Sequence, residues 1–378
     1  MLRVIGRKLA SAVAVMFVVS LATFFILDAV PGDPAVVIAG PNADADTVAE
    51  IRAELGLDRP VHERYVEWLG GTVRGDFGRQ YLEPRLPVAT VLRSALPVTL
   101  ELGLLGMALA LVVAVPAALV AAGRPNGPPD RALSGAAFAI IATPSFLLAL
   151  ILIFFLVFNP GLTQWALVEA TGAVAAYLAD RIAGTAHRYP PGSKARYVVR
   201  SGGAVAVGTA VVLVLVYLLP DFPRQGWVRL TSGEGLGENL RSAMLPAVTL
   251  AAIEAAVWMR LLRGDLMSTL QEDYVLAARA KGMPSWRILV VDALRPSSFS
   301  LVTVLGVSLG RLVGGTIIVE QIFNLPGMGN LMVRSIQAKD TPVVQAAVLL
   351  IAVIYVLVNT TVDVAYGYLD PRIRRGRR

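Results

Sequence analysis

The chain has 378 residues, 56% hydrophobic and 16% charged, against the roughly 25% charged residues of an average soluble domain, which points to lipid as its solvent. No cysteine and only two histidines are present, so disulfide frameworks, thiolate chemistry and Cys/His metal centres are set aside. The net charge of +7 fits lysine and arginine gathered in cytoplasmic loops, and no nucleic-acid partner is read from it.

In chain order, Arg3, Arg7 and Lys8 precede an apolar run from about Leu9 to Leu27. A cleaved signal peptide would have an apolar core of about 7–15 residues and a small-x-small site. This run is longer and ends in Asp28 and Pro31, so an uncleaved first span over 1–27, entered from the cytoplasm, is expected. Residues 28–96 form an external segment in which acids outnumber bases. Within it, Thr47-x-x-Glu50 reads as a capping box for a short helix. Further spans, each of the about 20 apolar residues a bilayer requires, are expected near 97–122, 132–158, 203–219, 244–262, 298–319 and 343–366. A weaker one at 163–183 is spoiled by Glu169, Asp180 and Arg181.

Positive charge sets the orientation. An inside N-terminus makes the 123–131 link, with Arg124 and Arg131, cytoplasmic. The tail 367–378, with five arginines from Arg372 to Arg378, falls on the same side. Residues 160–240 must then cross an even number of times. One reading is a hairpin, 163–183 inward and 203–219 outward, with Arg188, Lys194, Arg196 and Arg200 around a Pro-Pro-Gly turn on the cytoplasmic side. The other is an external domain with one buried apolar helix. The hairpin is the expectation, which gives eight spans. The remaining divisions are 97–159 for spans two and three and 241–366 for a core containing a cytoplasmic loop, 265–296. No internal repeat of the inverted-repeat transporter kind is visible.

That loop reads DYVLAARAKGMPSWRILVVDALRP from 273 to 296 and predicts two short helices around a bend. Asp273 starts the first, Arg279 and Lys281 end it in the sense that complements the helix dipole, and Gly282 suits a left-handed stop. Pro284 suits the first turn of the second, where Trp286, Leu289, Val290, Ala293 and Leu294 make one apolar face. Ala277, Ala278 and Ala280 keep the knuckle slim.

This stretch resembles the coupling loop of permease subunits of binding-protein-dependent ABC importers. It departs at Leu276, where the family often has glutamate, and at Leu294-Arg295, where it often has Leu-Pro. LGLDRPVHERYVEWLGGTVRGDFGRQY (55–81), LPVTLELGLLG (96–106), GGTIIVEQIFNLPGMGNLMVRSIQAKDTPVVQAAVLL (314–350) and VNTTVDVAYGYLDPRIR (358–374) are similar to the B-type subunit of its dipeptide and oligopeptide branch. The resemblance leaves out about 160–235, where an insertion is expected.

The resemblance implies an all-α polytopic membrane protein with the type I importer permease fold: a six-helix core plus the inserted hairpin, in a bacterial plasma membrane with both termini cytoplasmic. It implies a pathway for di- or oligopeptides formed with a C-type permease subunit, two cytoplasmic ATPases and an external binding protein. Asp273, Tyr274, Ala277, Ala278, Arg279, Ala280, Lys281, Gly282, Met283 and Pro284 would seat in an ATPase cleft. ATP and magnesium would bind on those partners. This chain lacks the phosphate-cradling GxxxxGK[ST] loop and is expected to hold no cofactor or metal. The same scaffold serves nickel chelates, glutathione, haem and oligosaccharides. A secondary transporter would be expected to show repeats or paired broken helices, and no constellation on the spans suits a membrane enzyme.

Two charges fall at mid-span, Glu254 and Arg311; at about 2.5–3.5 kcal/mol each on insertion scales, they either pair with each other or line the route for a charged peptide. Glu101, Asn359 and Asp363 serve interhelical hydrogen bonding or, less directly, substrate. Glu320, Phe323, Pro326, Gly327 and Gly329 mark an external turn at the mouth, for gating and docking or for turn formation alone. GDFGRQY is a docking candidate on resemblance. His62 and His187 have no ligand set nearby and read as ordinary polar residues.

Overall fold

The computed structural model describes residues 2–40, 42–186 and 235–369, with positions 202, 206, 209, 210, 222, 223, 225–230 and 233 between the last two. Regular structure among them is helical, with one isolated bridge between Arg79 and Pro87. The first span is α1, Leu2–Ala29. Three short helices follow: α2 (Pro34–Ala39), α3 (Ala45–Glu54) and α4 (Val61–Val73). Then come α5 (Val88–Gly123), α6 (Pro128–Ala142), α7 (Ser145–Ile153) running into a π-turn, Phe154–Phe158, and α8 (Pro160–Ala186). The C-terminal part is α9 (Leu236–Thr269), α10 (Asp273–Ala280), α11 (Ser285–Arg287) with a π-turn Ile288–Ala293, α12 (Leu294–Ile322), α13 (Met328–Gln337) and α14 (Thr341–Leu369).

Among the described residues, five helices are long and apolar enough to cross a bilayer, or six when the bent pair α6–α7 counts as one. α8 is helical where the weaker span is expected but is not among them. Most of the partner span expected at 203–219, and the basic tail from residue 370 on, lie outside the described residues.

The core is built on α5 against α9, the most extensive helix contact among the described residues. Ala110, Ala114, Ala118 and Ala122 recur every four residues on α5, all buried, and let the backbones approach closely. A Cβ at Gly106 would lie 3.3 Å from the Leu250 Cβ of α9. α9 answers with buried Leu245, Trp258, Leu262 and Leu266. α12 packs on α14 through a small-residue stripe: a Cβ at Gly306 would come within 2.2 Å of Val362 and one at Gly310 within 2.5 Å of the Tyr355 ring. α1 is held near its C-terminal end by Phe24 against Tyr65 and Trp68 of α4, with ring centroids at 5.3 and 5.7 Å. Ser20 Oγ and Tyr65 Oη share a hydrogen bond of 3.0 Å, and Asp28 pairs with Arg64.

Three sequence expectations are corrected. The span at 132–158 is not straight: α6 and α7 meet at 107°. Pro144 pushes Thr143 into the extended region, φ −87°, ψ 124°, as a residue before proline must go. The short external helix is not capped by Thr47. α3 starts at Ala45, and Asp44 Oδ1 accepts from the Thr47 N–H at 2.9 Å, a stronger cap offered three residues earlier. The second helix of the cytoplasmic loop does not stand apart. It continues through the π-turn into α12, and the buried positions are Ile288 and Ala293, five apart, while Trp286 and Val290 are exposed. The i→i+5 period of a π-turn rotates the apolar face away from its α-helical position.

Candidate functional site

The knuckle at 273–284 is set by backbone chemistry. α10 ends in a Schellman motif: Met283 N–H donates to Ala278 O at 3.2 Å and Gly282 N–H to Arg279 O at 3.0 Å, with Gly282 at φ +75°, the left-handed conformation glycine accepts without strain. Pro284 then caps α11 at φ −65°, ψ 139°, one residue before the helical turn expected for it. Val275 is the buried anchor of α10, and Tyr274 Oη donates to Asp292 O at 3.3 Å. Partial burial, with Glu272 and Asp292 nearby, raises the Tyr274 phenol above its ordinary value, so it stays a neutral donor. Asp273, Ala277, Arg279, Ala280, Lys281, Gly282 and Pro284 are exposed, and Ala278 and Met283 half-buried.

Three large apolar side chains are also left open there: Tyr274, Leu276 and Trp286, the last 67% exposed. Beside them runs a groove of about 530 Å³ lined by Gly123, Asn126, Leu270, Gln271, Arg279 and Trp286. An exposed apolar surface rimmed by charge is the signature of a protein contact. Two contacts tie together the helices around the knuckle. Thr269 Oγ1 and Ser297 Oγ lie 3.0 Å apart across its base. Asp130, at the start of α6, takes a bidentate pair from Arg263 of α9, Nε at 2.5 Å and a terminal NH2 at 2.7 Å, and also accepts from the Asn126 N–H at 2.8 Å. Sequence reasoning missed this pair, since the two residues lie 133 positions apart.

Inside the bundle, Glu254 is buried on α9 and accepts from Ser308 Oγ of α12 at 2.8 Å. Trp258 Nε1 donates to the same hydroxyl at 3.3 Å. The side chain of Arg311, the other mid-span charge, lies outside the described residues, as does that of Asp363. Glu101 is half-buried on α5. Asn359 Nδ2 donates to Tyr355 O of its own helix at 3.0 Å, so the bond it makes is within α14.

At the other end of α12 the residues expected at the mouth converge on one carboxylate. Glu320, near the end of α12, is 0% exposed. Its Oε1 accepts from Thr99 Oγ1 of α5 at 2.7 Å and its Oε2 from the Asn330 N–H of α13 at 3.0 Å. Thr99 Oγ1 in turn accepts from the Met328 N–H at 2.8 Å. The first N–H groups of α13 have no intrahelical partner, and Gly327, at its N-cap, has no side chain to offer. A carboxylate from α12 and a hydroxyl from α5 fill that role, with the charge on the favourable side of the helix dipole. A Cβ at Gly327 would sit 2.4 Å from Glu320 Cδ, and one at Gly329 2.6 Å from Ile317 Cα: the two glycines let the backbone close on the carboxylate. Phe323 and Leu325 are buried beneath the turn and Pro326 is exposed on it. Thr99 and Asn330 were not foreseen as parts of this cluster.

Nearby, a second groove of about 630 Å³ runs between the short helices α2–α4 and the α13–α14 link, lined in part by Asp33, Arg52, Arg64, Trp68 and Lys339. Asp340, in that link, accepts from the Tyr81 N–H at 3.1 Å. Burial raises its carboxyl above the ordinary value, against the lowering effect of the N–H groups of Tyr81, Leu82 and Val343. Among the described residues no three His, Cys, Asp or Glu side chains gather as a metal site would require.

Comparison with known proteins covers nearly the whole chain. Residues 1–102 match the N-terminal region of binding-protein-dependent transport system membrane components, and residues 114–375 match the binding-protein-dependent transport system inner membrane component family. A probable peptide ABC transporter permease protein of Sinorhizobium fredii is 32% identical over 97% of this chain and 98% of its own length. A putative peptide transport system permease protein of Brucella abortus is 32% identical over 99% of both chains. The glutathione transport system permease protein GsiC of Escherichia coli is 30% identical, again over 99% of both.

Proposed function

The chain belongs to the binding-protein-dependent transport system inner membrane components, and from that premise we propose that it forms, with a C-type permease partner, the membrane pathway through which an ATP-driven importer takes up di- or oligopeptides. As a multi-pass inner-membrane permease of the peptide branch, it carries the transport step. ATP hydrolysis belongs to two separate cytoplasmic subunits, and an external binding protein delivers the peptide. Both termini lie on the cytoplasmic side.

The observation that carries this reading is the exposed, Schellman-capped knuckle 273–284 beside the groove at Trp286. Its bend is rigid because Gly282 adopts φ +75°, its alanines keep it narrow, and Arg279 and Lys281 present positive charge to acidic groups of an ATPase. A push on this knuckle is not absorbed locally, since α11 continues through its π-turn into α12. Glu254 and Glu101, with Arg311, are the residues assigned to the route, where a peptide's charged termini need partners. Glutathione is the second reading for the cargo, favoured by the identity to GsiC; it is itself a short peptide and asks the same of the pathway.

The test is co-purification and reconstitution. The chain should bring a second permease and ATPase subunits with it, and peptide-loaded binding protein should stimulate ATP hydrolysis. Ala278→Arg, which thickens the narrow face of the knuckle, should leave the permease pair intact and release the ATPases. A chain that purifies alone and transports on an ion gradient would overturn the assignment.

A further inference from the structure

The knuckle and the buried Glu320 carboxylate stand at opposite ends of one unbroken helical run, Ser285 through the π-turn to Ile322. At the inner end the chain bends at Gly282; at the outer end it turns at Asn324, φ +51°, and re-enters as α13. A turn of sequence Asn-Leu-Pro-Gly, taken alone, is where an imposed displacement would dissipate. Here it is bridged. Glu320 accepts from α5 and from α13 at once, and Leu325 N–H returns to Glu320 O at 2.8 Å. Asn330 closes the loop from inside, Nδ2 to Leu325 O at 2.7 Å and Oδ1 from Gln321 Nε2 at 2.9 Å. The partners of the carboxylate among the described residues are neutral, and Glu320 is 0% exposed, so each donor lost leaves a buried acceptor unpaired. Such a junction is all-or-none: it moves whole or it breaks.

We infer that Glu320 is a positioning residue that fastens α13 and the outer end of α5 to α12, so that displacement of the knuckle reaches the mouth as movement of residues 323–337 with the helix. The source of the displacement rests on the transport reading; the fastening itself does not. Thr99 is its second member, and Gly327 and Gly329 are what allow it to close.

The experiment uses the complete reconstituted importer. Because the chain has no cysteine, a pair introduced at Ile318 of α12 and Ile336 of α13, both exposed, can carry spin labels. In the otherwise unchanged protein their separation should be the same in the nucleotide-free and the vanadate-trapped complex. It should broaden in Glu320→Gln and Thr99→Val but not in Thr99→Ser, which keeps the hydroxyl. Peptide taken up per ATP hydrolysed should fall about tenfold in Glu320→Gln and Thr99→Val, the scale of one hydrogen bond to a charged group, with Thr99→Ser near the parent. The double variant should be no worse than either single, as for two members of one junction. A change of the Ile318–Ile336 separation on trapping in the parent, or normal uptake per ATP by Glu320→Gln, would overturn the inference. The parent separation and the Thr99 pair decide it even if Glu320→Gln does not assemble. An importer with no peptide-stimulated hydrolysis at all would instead fault the transport reading, while the label separations still judge the fastening.

Discussion

Replacing Asp130 with asparagine removes one charge and leaves the shape. In the parent both carboxylate oxygens are used: Oδ1 accepts from Arg263 Nε at 2.5 Å and from Ser134 Oγ at 3.3 Å, Oδ2 from the Arg263 terminal NH2 at 2.7 Å and the Asn126 N–H at 2.8 Å. An amide has one oxygen. Wherever its NH2 is placed, it meets a guanidinium donor, so one Arg263 bond is lost and a donor is left facing a donor. Breaking a buried pair from one side costs about 3–5 kcal/mol. The Asp130 side chain is 3% exposed but that of Arg263 is 25%, so the stranded guanidinium can reach water and the lower end, about 3 kcal/mol, is expected. That is more than a hundredfold in the folded ratio. Denaturant unfolding of the detergent-solubilised protein, followed by tryptophan fluorescence, should read it. Arg263→Gln should cost at least as much, because it strands the more deeply buried carboxylate. The double variant should fall short of the sum by about 1.5 kcal/mol or more. A single-variant cost below about 1 kcal/mol, or additivity within about 0.5 kcal/mol, would refute the idea that this pair braces the α6 start against α9.

Other outcomes follow from particular contacts. Gly306→Ala should destabilise the bundle more than Gly310→Ala: the first meets Val362, whose branched side chain is stiff, the second meets a half-exposed Tyr355 ring that can swing aside. Thermal unfolding of the two variants checks the order. For pH, Asp340 binds its proton more tightly folded than unfolded, since burial raises its pKa. Its contribution is therefore complete below the ordinary carboxylate pKa and is lost as pH rises through the raised value. Asp340→Asn, which keeps an acceptor for the Tyr81 N–H, should flatten the fall in melting temperature between mild acid and neutrality; an unchanged slope would count against it. Glu254→Gln can still accept from Ser308, so uptake should drop with assembly intact, and normal uptake would refute a pathway role.

What could be read from the sequence follows the range of the interactions involved. Asp273, Gly282 and Pro284 specify the knuckle through contacts a few residues long, and the structure has the Gly282 stop where local chemistry puts it. The long apolar runs announce membrane-crossing helices through length and composition alone, whereas the alanine stripe of α5 shows its role only where α9 packs on it. The break at Thr143–Pro144 was equally local, but the apolar run across it masked the proline's effect on its neighbour. Glu320 was different in kind. An acidic residue beside a Pro-Gly turn reads as a surface feature, and its burial depends on Thr99, more than two hundred residues earlier in the chain. The only local trace was the pair of glycines at 327 and 329, whose missing side chains make room for the carboxylate. Asp130 and Arg263 carried no trace at all, because a charge at the end of a span is already explained by its expected place beside water.

The departure at Arg295 has a physical account in the π-turn that precedes it. Where the family often has Leu-Pro, this chain has Leu294-Arg295-Pro296, so the proline stands one residue late relative to Gly282. A helix can take up one extra residue at small cost by widening a single turn to i→i+5 bonding. Ile288–Ala293 is such a turn, and it ends immediately before Leu294. The extra residue is thus absorbed before α12 begins, and Ser297, Leu301 and Ser308 keep their inward faces. Deleting one exposed residue inside the turn, Val291, should restore α-helical bonding while leaving Trp258–Ser308 and Glu254–Ser308 in register. ATPase coupling should survive that deletion, because the bend at Gly282 lies outside it. Deleting a residue after the turn, such as Val302, should instead rotate Ser308 and Glu320 off their partners by about 100° and abolish uptake. Equal damage from the two deletions would refute the compensation.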